Sequence, residues 1–172
     1  MKKAILIISL LLISMTDLGI AMPSYQEVRA SYAASDAVLL DRHGQPIHEL
    51  RVDSQVRRLE WVKLGEISPA LIRAVIRCED KRFYDHSGAD WKALFSAAIG
   101  NVFGNARRGA STITMQLASL LDERLKPGKG QRTISQKWDQ IKAARELEQS
   151  WTKDQILETY LNLVSFRGEL QG

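Results

Sequence analysis

SPALIRAVIRCEDKRFYDHSG, residues 68–88, holds the pattern from which the rest of the chain can be read. Ser68 offers a cap, Pro69 suits the first helical position, and Ala70, Leu71, Ala74, Val75 and Cys78 recur at helical spacing. The stretch predicts a helix that buries this stripe, with Cys78 as a small buried thiol. Glu79 falls at its C-terminal end. Asp80, two bases, two aromatics and the turn His86-Ser87-Gly88 follow, leading into the next element. Neighbouring residues sit about 100° apart around a helix, so Glu79 and Asp80 cannot serve one face and should do different jobs.

Downstream the helical pattern continues. Trp91, Leu94, Phe95, Ala98, Ile99 and Val102 share one face, and a break from Gly104 to Gly109 carries Arg107 and Arg108. A short third helix is marked by Ile113, Leu117, Leu120 and Leu121. After the loop Pro127-Gly128-Lys129-Gly130, Thr133-x-x-Gln136 reads as a capping box opening a helix striped by Ile134, Trp138, Ile141, Ala144 and Leu147. Thr152-x-x-Gln155 repeats the device ahead of Ile156, Leu157, Tyr160 and Leu161. Trp138 and Trp151 are expected in the core.

Upstream, AVLLDRHGQPIHELRV (residues 37–52) sets two strand-like runs around Asp41-Arg42-His43-Gly44, a hairpin signal. His43 and His48 fall in it without clustered carboxylates or thiols, and read as surface residues rather than metal ligands. The expected fold is mainly α with a small N-terminal β-hairpin. Residues 23–36 read as a linker, 37–66 as the hairpin region, and 67–172 as the main domain.

At 172 residues with 45% hydrophobic content, the chain can bury one core and little more. A net charge of +4 suits anionic lipid or a phosphorylated substrate as readily as a solvated basic face, and nothing in it points to nucleic acid. A single cysteine excludes an internal disulfide and a cysteine-based zinc site. MKKAILIISLLLISM pairs two lysines with an unbroken apolar run, the layout of a secretory signal. If Asp17 is tolerated, the run reaches Met22 and becomes a membrane anchor of spanning length. Residues 1–22 are therefore a signal peptide or an anchor, and either places the remainder outside the cytoplasm.

The chemistry centres on two stretches. At a helix C-terminus the macrodipole disfavours a carboxylate, and Cys78 and Phe83 are expected as an apolar wall; both conditions suit Glu79 to proton exchange. An acid pair at a helix end is equally what an ordinary solvated surface carries. GASTITMQLA, residues 109–118, places Ser111 and Thr112 at a helix N-terminus, where hydroxyls and free amides favour an anion. Thr112 and Gln116, four apart, share a face. A Ser/Thr-capped helix without a ligand has the same pattern.

EDKRFYDHSG (79–88), GASTITMQLA (109–118) and KDQILETYLN (153–162), in this order and spacing, resemble the first, second and fourth motifs of the family 51 peptidoglycan glycosyltransferases, the glycan-polymerising domains of class A penicillin-binding proteins. The hairpin, ISPAL and FRGELQG are most similar to the 1C branch. The resemblance runs from about residue 37 to the end. It implies a lysozyme-like α-helical fold acting on lipid II and the growing glycan strand at the outer face of the bacterial inner membrane, or in the periplasm if the signal is cleaved. Glu79 matches the general base that takes the proton of a GlcNAc 4-hydroxyl, with inversion at MurNAc and loss of undecaprenyl pyrophosphate. Asp80, Phe83 and His86 match supporting positions. Ser111, Thr112, Gln116 and Lys137, with Arg107 and Arg108 nearby, match the substrate side. Lys153, Glu158, Tyr160 and Asn162 match the fourth motif, for which a structural role is expected. Cell-wall synthesis proteins follow as further partners.

The departures are specific. The third motif usually reads Arg-Lys-x-x-Glu, whereas QKWDQ here puts Gln136 and Gln140 in place of the Arg and the second catalytic Glu. Gln140 keeps hydrogen-bonding capacity without charge, which bears on the divalent cation (Mg or Mn) that the resemblance brings as a candidate cofactor. Met115 replaces a usual Gln, and Ser119-Leu120 a common Lys-Asn. Gly172 falls inside the fifth motif, so the chain reads as a truncated domain. The rival enzyme class is a lysozyme-like hydrolase or lytic transglycosylase, with Glu79 as general acid; it would want a second carboxylate across the cleft. A non-catalytic remnant that binds membrane or glycan is the third reading.

Overall fold

The computed structural model describes residues 21–53, 56–102, 111–126, 134–167 and 170–172. The order is α1 (Tyr25–Ser31), β1 (Asp36–Leu40), β2 (Pro46–Arg51), β3 (Arg57–Arg58), α2 (Pro69–Glu79), α3 (Trp91–Val102), α4 (Ile113–Leu121), α5 (Ile134–Ser150), α6 (Lys153–Leu163), β4 (Ser165–Arg167) and β5 (Leu170–Gln171). The described chain is mainly α, with a small antiparallel β1–β2 hairpin in front, as the patterning predicts. The apolar leader lies outside the described residues, except for Ala21 and Met22. Among the described residues no helix is long and apolar enough to cross a membrane.

Helix α4 is apolar around most of its circumference and is accordingly buried, packed between α5 and α6. Ile113 and Leu117 of α4, Ala143 and Leu147 of α5, and Ile156, Leu157 and Tyr160 of α6 form the main core, with Phe83 and Trp151 at its edges. A smaller cluster of Ala89, Met115, Ile141 and Ala144, with Leu94 of α3 against it, joins the loop after α2 to α5. The capping box predicted at Thr152 is present: its hydroxyl accepts from Gln155 N–H, and the Gln155 side chain accepts from Thr152 N–H at 2.9 Å. Thr133, the other predicted box, lies outside the described residues.

Several expectations are corrected. The stretch read as a linker contains α1, opened by a capping box between Ser24 and Glu27 and pinned by Val28 in the core. It is short, and two turns with one buried residue leave little periodicity to read. Ser68 makes no side-chain cap bond; Pro69 alone marks the start of α2. The face of α2 that packs on the core is Ile72, Val75 and Ile76, each half-buried, while Leu71 is 43% exposed and Cys78 is exposed. Both faces of α2 are apolar, and the branched residues are the ones that dock. Ile72, Val75, Ile76 and Glu79 follow i, i+3, i+4, i+7, so this rotation carries Glu79 toward the body of the protein. Trp138, expected in the core, is 44% exposed and lies 6.4 Å, centroid to centroid, from the exposed Trp91. Trp151 is buried, its indole N–H donating to Pro23 O at 3.2 Å.

Candidate active site

The loop between α2 and α3 is built on a buried carboxylate. Asp80 caps α2, and its side chain turns inward, where His86 Nε2 lies 3.0 Å from both oxygens and Ile113 N–H donates to Oδ2 at 3.1 Å. Arg82, two residues beyond Asp80, reaches Asp90 instead, through Nε at 2.9 Å and through Nη2. Burial opposes ionisation of Asp90, yet the Ala93 amide and the Arg82 guanidinium outweigh it and hold the carboxyl below its ordinary range. Phe83 is fully buried, with Lys153 Nζ 4.4 Å over its ring and donating to His86 O at 2.7 Å. Gly88 adopts φ +81°, and a Cβ there would lie 2.7 Å from the α5 backbone at Ala144. Only glycine lets the loop rest on that helix. Asp80, Phe83 and His86 thus lie beneath the surface as a foundation, with Asp80 reaching the cleft floor.

Above them Glu79 faces a cleft of about 590 Å³, which it shares with Asp80, Arg82, Lys92, Ser111 and Thr112. Gln116 Nε2 donates to Glu79 Oε2 at 2.9 Å, and Tyr160 O–H donates to Gln116 Oε1 at 3.0 Å. Burial, and then the nearby charge of Glu79, push the Tyr160 phenol up to about 12. Lys137 Nζ donates to Ser111 Oγ at 2.7 Å, bringing the expected cation to the cleft rim. Arg107 and Arg108 lie outside the described residues.

Thr112 is less available than its position suggested. Its hydroxyl donates to Gly88 O at 2.6 Å and accepts from Met115 N–H at 3.1 Å, and only 2% of the residue is exposed. The Ile113 and Met115 amides at this helix end are therefore held by Asp80 and Thr112.

A second cleft of about 260 Å³ lies beyond Gln116, lined among others by Ser111, Ser119, Lys126, Gln140 and Tyr160. The Gln140 amide donates to Ser119 Oγ and Leu125 O, both at 2.8 Å, while its buried Oε1 has no hydrogen-bond partner among the described residues. The Gln that replaces an expected Glu is thus bonded to the Ser that replaces an expected Lys. Among the described residues the donor set does not make a protein-held divalent site. Glu79 brings one carboxylate, Asp80 is spoken for by His86 and Ile113, and Gln140 is turned to Ser119; among the described residues no group of three or more His, Cys, Asp or Glu is placed to hold an ion.

The fourth motif pins the frame together. Glu158 accepts from Tyr25 O–H at 2.6 Å, Trp61 Nε1–H at 2.8 Å and Leu64 N–H at 2.8 Å. Asn162 clamps the backbone of Val62 from both sides, at 2.8 Å each. Tyr160 is the site residue that sequence reasoning assigned only to the frame. Its partner Gln116 is 44 residues away, and no local pattern reports such a contact.

A profile described as Transglycosylase matches residues 43–172, well over half of the chain. Among curated proteins, penicillin-binding protein 1A of Escherichia coli (strain K12) is 44% identical over 104 residues, covering 60% of this chain and 12% of that protein. Penicillin-binding protein 1A of Neisseria gonorrhoeae is 40% identical over 109 residues, 63% of this chain and 13% of its own length. Penicillin-binding protein 2D of Bacillus subtilis (strain 168) is 37% identical over 107 residues, 62% of this chain and 15% of that protein. The matched region thus spans under a sixth of each of these relatives. The chain belongs to the transglycosylase family.

Proposed function

We propose that this chain is a peptidoglycan glycosyltransferase acting on lipid II at the outer face of the bacterial membrane. The observation that carries the reading is Glu79, held by Gln116 over a cleft that contains Ser111 and Thr112 and has Lys137 at its rim. In this mechanism Glu79 accepts the proton of the acceptor's GlcNAc 4-hydroxyl as that oxygen attacks the anomeric carbon of the growing strand's MurNAc. The C–O bond to the undecaprenyl pyrophosphate breaks with inversion. Charge then collects on the departing diphosphate, and preorganised cations stabilise it; Lys92 and Arg82 on the cleft walls and Lys137 at the rim are the candidates. Gln140 stands here as a supporting residue that orders α4, α5 and the segment at Leu125, without a proton-transfer role.

Purified protein is incubated separately with labelled lipid II and with finished peptidoglycan. Polymer from the first supports synthesis, and soluble fragments from the second would support lysis instead. Glu79→Gln should lower polymerisation by about two to four orders of magnitude, the usual worth of a positioned general base. Turnover that survives this substitution, or its absence in the unmodified chain, overturns the reading.

A further inference from the structure

The contacts behind Glu79 form an ordered series: Tyr160 O–H to Gln116 Oε1, then Gln116 Nε2 to Glu79 Oε2, at 3.0 and 2.9 Å. A carboxylate only accepts, so Glu79 itself selects the N–H₂ end of the Gln116 amide, and what remains to be fixed is where that amide sits. We propose that Tyr160 is the positioning residue that anchors the far end of this amide, so that Gln116 keeps its N–H₂ group on Glu79 and holds the base toward the cleft. The inference rests on the glycosyltransferase reading for its kinetic consequence, while the geometry belongs to the resting protein.

Tyr160 suits the task on three counts. It is 3% exposed, on α6 in the main core, so its ring cannot swing away. Its phenol stays protonated far above neutrality, raised first by burial and then by the charge of Glu79, and therefore remains a donor. Gln116 lies between the two clefts, lining the smaller one with Tyr160 while bonding to Glu79 of the larger. The other titratable groups of the larger cleft are Asp80, Lys81 and Arg82 beside Glu79 in the chain, and Asp90 and Lys92 on the α3 side. Tyr160 is separated from that cleft by Gln116, so it acts on Glu79 through the amide.

The test is Tyr160→Phe, which keeps the core ring and removes one oxygen. Two measurements are made on the full chain. In the first, the side-chain amide resonance of Gln116 is followed in ¹⁵N-labelled protein as pH crosses the carboxylate range. It should move in the unmodified chain, stay still in Glu79→Gln, and move less than about half as far in Tyr160→Phe, because without its anchor the amide spends less time against Glu79. In the second, lipid II kinetics should show kcat down about tenfold with KM within about twofold, as for an interaction felt mainly in the transition state. Gln116→Ala should cost clearly less in the Tyr160→Phe background than in the unmodified chain, since partners in one chain of contacts are not additive. An amide titration unchanged by Tyr160→Phe overturns the proposal, as does an unchanged kcat in an active enzyme. A chain that consumes no lipid II defeats the glycosyltransferase reading, and the amide titration still decides the role of Tyr160.

Discussion

Asp80 and Glu79 are neighbours with opposite surroundings. The Asp80 side chain is almost wholly buried between His86 and the first amide of α4, while Glu79 reaches solvent in the cleft. Replacing Asp80 by Ala strands a buried imidazole and a buried amide, and should cost about 3–5 kcal/mol of stability, read from the urea midpoint. Asp80→Asn keeps an acceptor for Ile113 and should cost less, about 1–3 kcal/mol. Cys78, one residue before Glu79, gives a cheaper check of how α2 is rotated. Exposed on the surface, it should react with a maleimide in native buffer as completely as in denaturant. A thiol that reacts only after unfolding would put the stripe of Leu71, Ala74 and Cys78 inside.

At the level of elements, α6 is tied to α1 and to the segment at Trp61 and Leu64 through one acid, Glu158. Its burial resists ionisation, but the Tyr25 hydroxyl, the Leu64 amide and the Trp61 indole outweigh it and keep the carboxyl below its ordinary 4.5. A carboxyl depressed in the folded state stabilises above its unfolded value, and that contribution is lost as pH falls through the folded value. Thermal melts should therefore drop as pH is lowered below about 4.5, and Glu158→Gln should flatten that decline while lowering the melting temperature at neutral pH. At alkaline pH the sign reverses for Tyr25, whose phenol is raised to about 12 by burial and by Glu158. Its share is complete below its unfolded value and fades as pH rises through about 12. These elements were legible in the sequence to different degrees. The periodicity of α4 and α6 and the box at Thr152 announce themselves, because helix spacing and caps are local. The choice between two apolar faces of α2 does not, since it depends on what α2 meets. The acid pair, the hydroxyl-bearing helix start and Lys137 could be named from their motifs. The pairing of Arg82 with Asp90 and the link from Tyr160 to Glu79 could not, because both are made by the fold.

Taken as a whole, the protein combines a dense helical body with a β-hairpin that is exposed on both faces: Val38 is 47%, Leu39 60%, Ile47 63% and Leu50 59% exposed. A two-stranded ribbon on its own is marginal in water. Hydrogen exchange should accordingly show the amides of β1 and β2 exchanging orders of magnitude faster than those of α4 and α6, which lie in the core. Equal protection across the chain would mean that the hairpin is covered in solution. The body behaves differently because of Gly88. Where most loops meet a helix through side chains that can give, this one meets α5 main chain to main chain, with no room for a methyl group. Gly→Ala usually stabilises where the backbone tolerates a side chain, but at Gly88 it should cost more than about 1 kcal/mol, visible as a lower melting temperature. There is no cushion at this joint. A shift of α5 by a fraction of an ångström passes undamped through the loop to the acids at its far end, so a wedge driven beneath that helix would disarm the cleft without ever entering it.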